Sequence, residues 1–269
     1  MTDYEVPGRY QLWQGDCLEE MSRIEDGSLD AIIADWPYQK TNCHWDSMIP
    51  LEPLWKQCKR VIKKNGAIVL TASQPFTSLL VMSNLKWFKW EDVYHKTQAN
   101  GFLNAKIMPL REHENILLFG KGRVTYNPQM FEKPAEHVRP PRGITTKSTC
   151  YGEYKRGVTT EVAYTSYPRS VVRFSNTNSK AGLHPCQKPV ALMEYLILTY
   201  TNEGDTILDN TFGSCSTGEA ALRTNRRFIG IEKDANYFEI GKTRMERVAA
   251  ELRGELNHLP MIALESSIQ

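Results

Sequence analysis

Residues 207–220 read ILDNTFGSCSTGEA. An apolar run ends at Asp209, small residues follow, and a helix-forming stretch opens near Thr217. The order is strand, tight turn, helix. Such a turn lets a ligand approach the backbone, and the helix N-terminus offers it free N–H groups. The next apolar run, Arg227 to Ile231, ends at Glu232, which lies 19 residues after Gly213. A carboxylate about 20 residues beyond the turn is placed to accept hydrogen bonds from ribose hydroxyls. The dinucleotide spacing GxGxxG is missing, because Cys215 stands where its second glycine would be. An adenosyl cofactor fits this turn better than a dinucleotide; the bland alternative is a tight strand-to-helix connection.

Elements on both sides continue the alternation. Pro189 to Tyr200 predicts a helix and Asp205 to Asp209 a strand, while Asp234 caps an amphipathic helix running to about Leu256. Nearer the N-terminus, Leu29 to Ala34 (LDAIIA), Gly66 to Thr71 (GAIVLT) and His113 to Gly120 (HENILLFG) read as strands. Pro50 to Lys64 has helical spacing of Leu51, Leu54, Trp55, Cys58 and Ile62, stopped by Asn65-Gly66, and another helix opens at Pro75. Strands alternating with helices predict a doubly wound α/β domain with a largely parallel sheet.

Residues 121–180 break the pattern. They are rich in Pro, Gly, Thr and Tyr, and carry 11 Lys and Arg against 4 Asp and Glu, a net of +7. The rest of the chain is net −5. A basic segment inside an acidic body points to a polyanionic partner, the alternative being a solvated insertion. Aromatics such as Tyr126, Phe131, Tyr151, Tyr154, Tyr164, Tyr167 and Phe174 argue against simple disorder.

The whole chain has 269 residues, 24% charged and 41% hydrophobic. That is an ordinary globular composition, unlike a disordered, collagenous or coiled-coil chain. The longest uncharged stretch, Asn65 to Leu85, is too polar for a membrane helix, and the N-terminus MTDYEVPGRY has no secretory apolar core. A cytoplasmic protein is expected. Six cysteines without CxxC spacing read as reduced thiols, and no metal site is expected.

The tetrad Asp35-Trp36-Pro37-Tyr38 follows directly on the strand Leu29–Ala34. Ligands in open α/β sheets bind beyond the carboxyl ends of strands. Asp35 supplies a carboxylate acceptor there, Pro37 biases Trp36 toward extended backbone, and Tyr38 offers a flat ring. These parts suit methylation of an exocyclic amine, whose lone pair is delocalised into its ring. A carboxylate and a backbone C=O can hold both N–H bonds and favour a pyramidal nitrogen. Transfer then needs alignment and electrostatics, with no metal and no covalent intermediate. A capped turn is the alternative.

Together these elements resemble a family. DWPY is similar to the (D/N/S)PP(Y/F/W) signature of amino-group DNA methyltransferases, and ILDNTFGSCSTGEA to their cofactor motif LDPFxGSGTT. FIGIEKD (Phe228 to Asp234), HPCQKPVALMEYLI (His184 to Ile197) and WQGDCLEEM (Trp13 to Met21) resemble the acidic motif, the helix before the cofactor turn and the GDC motif. Catalytic tetrad first, basic insertion second and cofactor motif last is the permuted order of the β group. The resemblance spans nearly all of residues 10–250.

It implies a Rossmann-like methyltransferase sheet with three parts: a catalytic half (1–121), a target-recognition insertion (122–180) and a cofactor-binding half (181–269). It also implies S-adenosylmethionine as cofactor, double-stranded DNA as partner and adenine N6 as target. N4 of cytosine is the runner-up, and a DNA-binding relative without turnover the non-enzyme reading. Asp35 would accept from the target amine, the Trp36 C=O would supply the second acceptor, and Pro37 and Tyr38 would complete the tetrad, with Tyr38 stacking on the flipped base. Asp209, Gly213, Ser214, Cys215 and Ser216 would form the cofactor pocket. Glu232 would hold the ribose, Asp16 would approach the adenine, and Lys188 would lie near the amino-acid end. A homodimer and a separate restriction endonuclease are the protein partners such enzymes suggest, in a bacterial or phage setting. The sequence departs from the motifs where Trp36 and Asn210 replace prolines, Thr211 replaces Phe, and Cys215 replaces Gly.

Overall fold

The computed structural model describes residues 3–6, 8–37, 48–133, 135–138, 147–148, 152–153, 164–176 and 187–254. Tyr38, His184 to Cys186, Tyr151 and Tyr154 lie outside them. Two units form: residues 1–127 with 170–269, and Pro128–Arg169.

The larger unit opens with β1 (Asp3–Val6), β2 (Tyr10–Gln14) and the short α1 (Cys17–Glu20), then β3 (Leu29–Ala34), α2 (Leu51–Val61), β4 (Ile62–Ala72), α3 (Phe76–Ser83), β5 (Phe88–Asn100) and β6 (Arg111–Phe119). In the smaller unit β7 (Phe131–Glu132) pairs with β10 (Thr165–Ser166), and β8 (Lys147–Ser148) with β9 (Gly152–Glu153), both antiparallel. The larger unit resumes with β11 (Val171–Phe174), α4 (Val190–Tyr200), β12 (Thr206–Asp209), α5 (Ser216–Arg223), β13 (Arg227–Glu232) and α6 (Ala235–Leu252).

Nine strands make one sheet in the order β1-β2-β13-β12-β3-β4-β6-β5-β11. From β2 to β4 every neighbouring pair is parallel, and β6 runs antiparallel to both β4 and β5. This is the doubly wound sheet expected, with the tetrad strand β3 beside the cofactor strand β12. Central parallel strands are covered on both faces, which is why LDAIIA is apolar almost throughout. Alternate residues divide between two cores. Ala31, Ile33, Ala67 and Val69 join a cluster with α4, α5 and α6, whereas Ile32, Ala34, Ile68 and Leu70 join one with α1, α2 and α3.

The local rules hold, with several boundaries displaced: the strand expected over Gly66–Thr71 runs Ile62–Ala72, that expected over His113–Gly120 runs Arg111–Phe119, and the helix expected to about Leu256 ends at Leu252. Asp234 caps α6 by accepting from the N–H groups of Asn236 (2.9 Å) and Tyr237 (3.1 Å). The helix expected over Pro50–Lys64 ends at Val61, because Ile62 already pairs with Leu29 in the sheet. Pairing to β3 outweighs the helical spacing there. Among the described residues no helix is long and apolar enough to cross a membrane.

Candidate active site

A cavity of about 1020 Å³ opens at the carboxyl ends of β2, β3, β12 and β13. It stands at the upper end of the range of about 300–1,000 Å³ usual for a small-molecule pocket. Its lining includes Gly15 and Asp16 after β2, Asp35, Trp36 and Pro37 after β3, Asp209 at the end of β12 with Asn210 to Ser214 beyond it, and Glu232 at the end of β13. Four parallel strands therefore deliver the motif residues to one place, at the end of the sheet where such folds bind ligands.

Asp35 is fixed from two sides. Thr71 on β4 donates its hydroxyl to Oδ1 at 2.6 Å, and the Lys188 ammonium contacts Oδ2. Lys188 also lies 3.4 Å from Glu114 Oε2, whose other oxygen meets Lys96 Nζ at 2.5 Å. Three of the four ionic side chains, Lys96, Glu114 and Lys188, are at most 10% exposed, so their charges are compensated mainly by one another. Burial pushes the Asp35 carboxyl above its usual range, and Lys188 partly opposes that. Burial works the same way on Glu114, but Lys188 and Lys96 together outweigh it and hold that carboxyl low. Asp35 is a hydrogen-bond acceptor at the cavity wall, paired with a neighbouring lysine.

The other side of the cavity carries the turn. Gly213 has φ 51°, a left-handed conformation that glycine adopts at little cost. Its N–H donates to Glu232 Oε2 at 2.8 Å, and the Asp234 N–H donates to Oε1 at 2.8 Å. Both oxygens keep a further lone pair for a ligand. Burial raises the Glu232 carboxyl, and it pushes Asp209 up to about 7. Asp209 accepts from the Thr211 N–H at 3.1 Å. Asp16 caps α1 through Leu18 N–H and meets Lys233 Nζ at 3.1 Å. A glycine turn with flanking serines and aligned carboxyl acceptors matches the hydroxyl-rich, amine-bearing chemistry of an adenosyl amino acid.

Ten of the twelve predicted site residues line this one cavity: Asp16, Asp35, Trp36, Pro37, Lys188, Asp209, Gly213, Ser214, Ser216 and Glu232. Tyr38 lies outside the described residues. Cys215 is placed differently from the expectation. It caps α5 at φ 61°, is fully buried, and turns its side chain into the core with Phe212, Phe238 and Met245. The left-handed backbone explains why the motif has glycine there, and the thiol fills core space instead of facing a ligand. Trp36 likewise sends its indole inward, edge-on to Trp55 at 5.2 Å, with Nε1 donating to Asn210 Oδ1 at 2.9 Å. Thr71, Lys96 and Glu114 escaped the sequence reading. The available signal was a charge set in a strand beside an apolar run, as Glu114 is in HENILLF.

The family model described as DNA methylase matches residues 29–243. Type II methyltransferase M.HinfI of Haemophilus influenzae is 26% identical over 289 residues, covering 94% of this chain and 71% of the relative. DNA adenine methyltransferase YhdJ of Escherichia coli (strain K12) is 26% identical over 258 residues, covering 86% of this chain and 81% of the relative. In fold, the crystal structure of the M1.HpyAVI-SAM complex is similar, with a TM-score of 0.59 and 23% identity, covering 88% of this chain and 98% of that one. With its tetrad strand and cofactor strand adjacent in the sheet and the matched model spanning most of its length, the chain belongs to the DNA methylase family of N6 and N4 methyltransferases.

Proposed function

We propose that this chain transfers a methyl group from S-adenosylmethionine to the exocyclic N6 of adenine at a specific site in double-stranded DNA. The observation carrying the reading is the position of Asp35, on one cavity wall with the Gly213 turn and Glu232 on another. Aspartate as the first tetrad residue favours adenine over cytosine, and YhdJ is named as an adenine methyltransferase.

When bound, S-adenosylmethionine supplies a methyl group activated on a sulfonium. Glu232 takes the ribose hydroxyls, Asp16 approaches the adenine, and Asp209, Gly213, Ser214 and Ser216 form the floor. Asp35 accepts one N–H of the target amine and the Trp36 C=O accepts the other, so the nitrogen pyramidalises, its lone pair leaves conjugation with the ring, and the nitrogen gives up one of these protons as it gains the methyl. Asp35 must be ionised to do this. Lys188, engaged by Asp35 and Glu114 on the cavity wall, serves the reaction by holding that charge and lies near the cofactor's amino-acid end. The target base leaves the stack to reach Asp35, at a cost of a few kcal/mol, and Tyr38 stacks on it.

Residues 122–180 serve as the target-recognition region, gripping phosphates with their excess of Lys and Arg. The Type II designation of M.HinfI supports a companion restriction endonuclease on a separate chain, and the bacterial relatives support a cytoplasmic setting. A homodimer is the assembly we infer.

The test is methylation-aware sequencing of DNA from a methylase-free host expressing the chain, with Asp35→Ala alongside. N6-methyladenine at one motif, lost in the variant, is expected. Modified cytosine would reassign the target, and unmodified DNA would remove the activity.

A further inference from the structure

The β5–β6 hairpin ends in a ten-residue tip, 101–110, closed by the pair Asn100 and Arg111. Its sequence, GFLNAKIMPL, places large apolar side chains in solvent: Phe102 is 77% exposed, Leu103 84% and Ile107 77%, with Met108 and Leu110 also exposed. The tip is nevertheless a built structure. Phe102–Asn104 forms a 3-10 turn, and the N–H groups of Asn104, Ile107 and Met108 are hydrogen-bonded within the loop at 2.8–3.0 Å. Exposed apolar clusters of this kind mark interaction sites.

Two observations identify the partner. The same loop lines the cavity through Gly101, Asn104, Met108 and Pro109, so the apolar tip is continuous with the mouth through which a target base reaches Asp35. From Lys96 to Arg111 there is no Asp or Glu, while Lys106 and Arg111 are exposed. A loop that is apolar and cationic, with no carboxylate between Lys96 and Arg111, complements a polyanion that also offers flat apolar faces. Resting on the DNA methyltransferase reading above, we propose that residues 102–107 form a wedge that enters the duplex and fills the place vacated by the flipped base. Apolar wedges of Phe, Leu, Ile, Met or Pro between base steps are a known means of stabilising unstacked DNA. Here Phe102 stacks on the exposed neighbouring base, Leu103 and Ile107 exclude water from the gap, and Lys106 meets phosphate.

The test uses the full chain, tritiated S-adenosylmethionine and plasmid DNA from a methylase-free host. Wild type is compared with the double variant Phe102→Ala, Leu103→Ala and with Phe102→Trp, while calorimetry follows cofactor binding and sedimentation follows the oligomeric state. Because these side chains lie in solvent, their loss leaves the core intact. The double variant is expected to lose about tenfold or more in kcat/KM on duplex DNA, with cofactor affinity and oligomeric state unchanged. Phe102→Trp, which keeps a flat stacking ring, retains activity. A double variant as fast as wild type overturns the wedge while leaving the methyltransferase reading intact. A changed oligomeric state also overturns it, making the tip an interface between copies of this chain. A Trp variant as slow as the alanine one removes stacking from the proposal. A wild-type chain that leaves DNA unmethylated fails the underlying reading itself.

Discussion

Trp36 and Asn210, two of the positions that depart from the family motifs, are bonded to each other: the indole Nε1 donates to the Asn210 Oδ1 at 2.9 Å. Each stands where the motif has proline, which has no side-chain donor or acceptor. Both side chains are buried, at the ends of neighbouring strands β3 and β12. The two departures are therefore one substitution in two places, a pin between the tetrad loop and the cofactor turn. Trp36→Phe or Asn210→Ala alone leaves a buried polar group unpaired, at about 1–3 kcal/mol. A double-mutant cycle in urea should give a coupling of about 0.5–3 kcal/mol, and additive losses would show the two to be independent.

Lys188→Met should move the acid limb of the kcat–pH profile to higher pH. Burial already raises the Asp35 carboxyl and Lys188 lowers it, so removing the ammonium leaves only the Thr71 hydrogen bond against the upward push of burial and Glu114. The ionised acceptor then forms only at higher pH, and rate measurements across the acid range detect the shift. Stability falls too. Asp35 is about a quarter exposed, so the loss should lie at or below the low end of the range of about 3–5 kcal/mol for a broken buried pair. An unmoved limb would mean that Lys188 does not control Asp35.

Glu232→Ala should weaken S-adenosylmethionine binding by about 1.5–3 kcal/mol, the range for hydrogen bonds to a charged group. It also strips the acceptor from the Gly213 and Asp234 N–H groups, so the melting temperature of the cofactor-free protein falls as well. Calorimetric titration reads the first effect and thermal melting the second. Unchanged affinity would move the ribose contact to another residue.

Asp209 supplies a stability test. Its carboxyl rises from 3.8 to about 7 through burial, so the folded protein binds that proton more tightly than the unfolded chain. The associated stability is fully present below about pH 4 and is lost as pH rises through about 7. Asp209→Asn keeps an acceptor for the Thr211 N–H and cannot ionise. Its melting temperature relative to wild type should climb between about pH 5 and pH 8, whereas parallel curves would contradict the assignment.

The sequence disclosed those parts of the fold whose local preference agrees with their tertiary surroundings. Leu29–Ala34 is a strand with the expected bounds because an apolar run buried on both faces satisfies propensity and packing together. β5 (Phe88–Asn100) went unread, since its alternation Phe88, Trp90, Asp92, Tyr94, Lys96 is interrupted by charge. Lys96 is buried only because Glu114 meets it from β6, a pairing 18 residues away that strand patterning does not express. The motif residues of the cavity were legible by position along the chain. Cys215 was not, because its backbone twists left-handed and reverses the direction its side chain takes.

The interleaved sheet also governs how the enzyme can be made. β2 and β3, both within the first 34 residues, do not pair with each other; β13 and β12, from the last third of the chain, fill the gap between them. A ribosome working at about 5–20 residues per second delivers β12 roughly ten to thirty seconds after β3. Throughout that interval the nascent chain holds two unpaired strand edges facing an unfilled slot, the kind of surface on which chains aggregate. Synthesis interrupted before residue 206 leaves Asp35 without the turn that faces it, so truncated products carry no methylating potential. β12 and β13 both fill the sheet and complete the site, which ties activity to synthesis past residue 232.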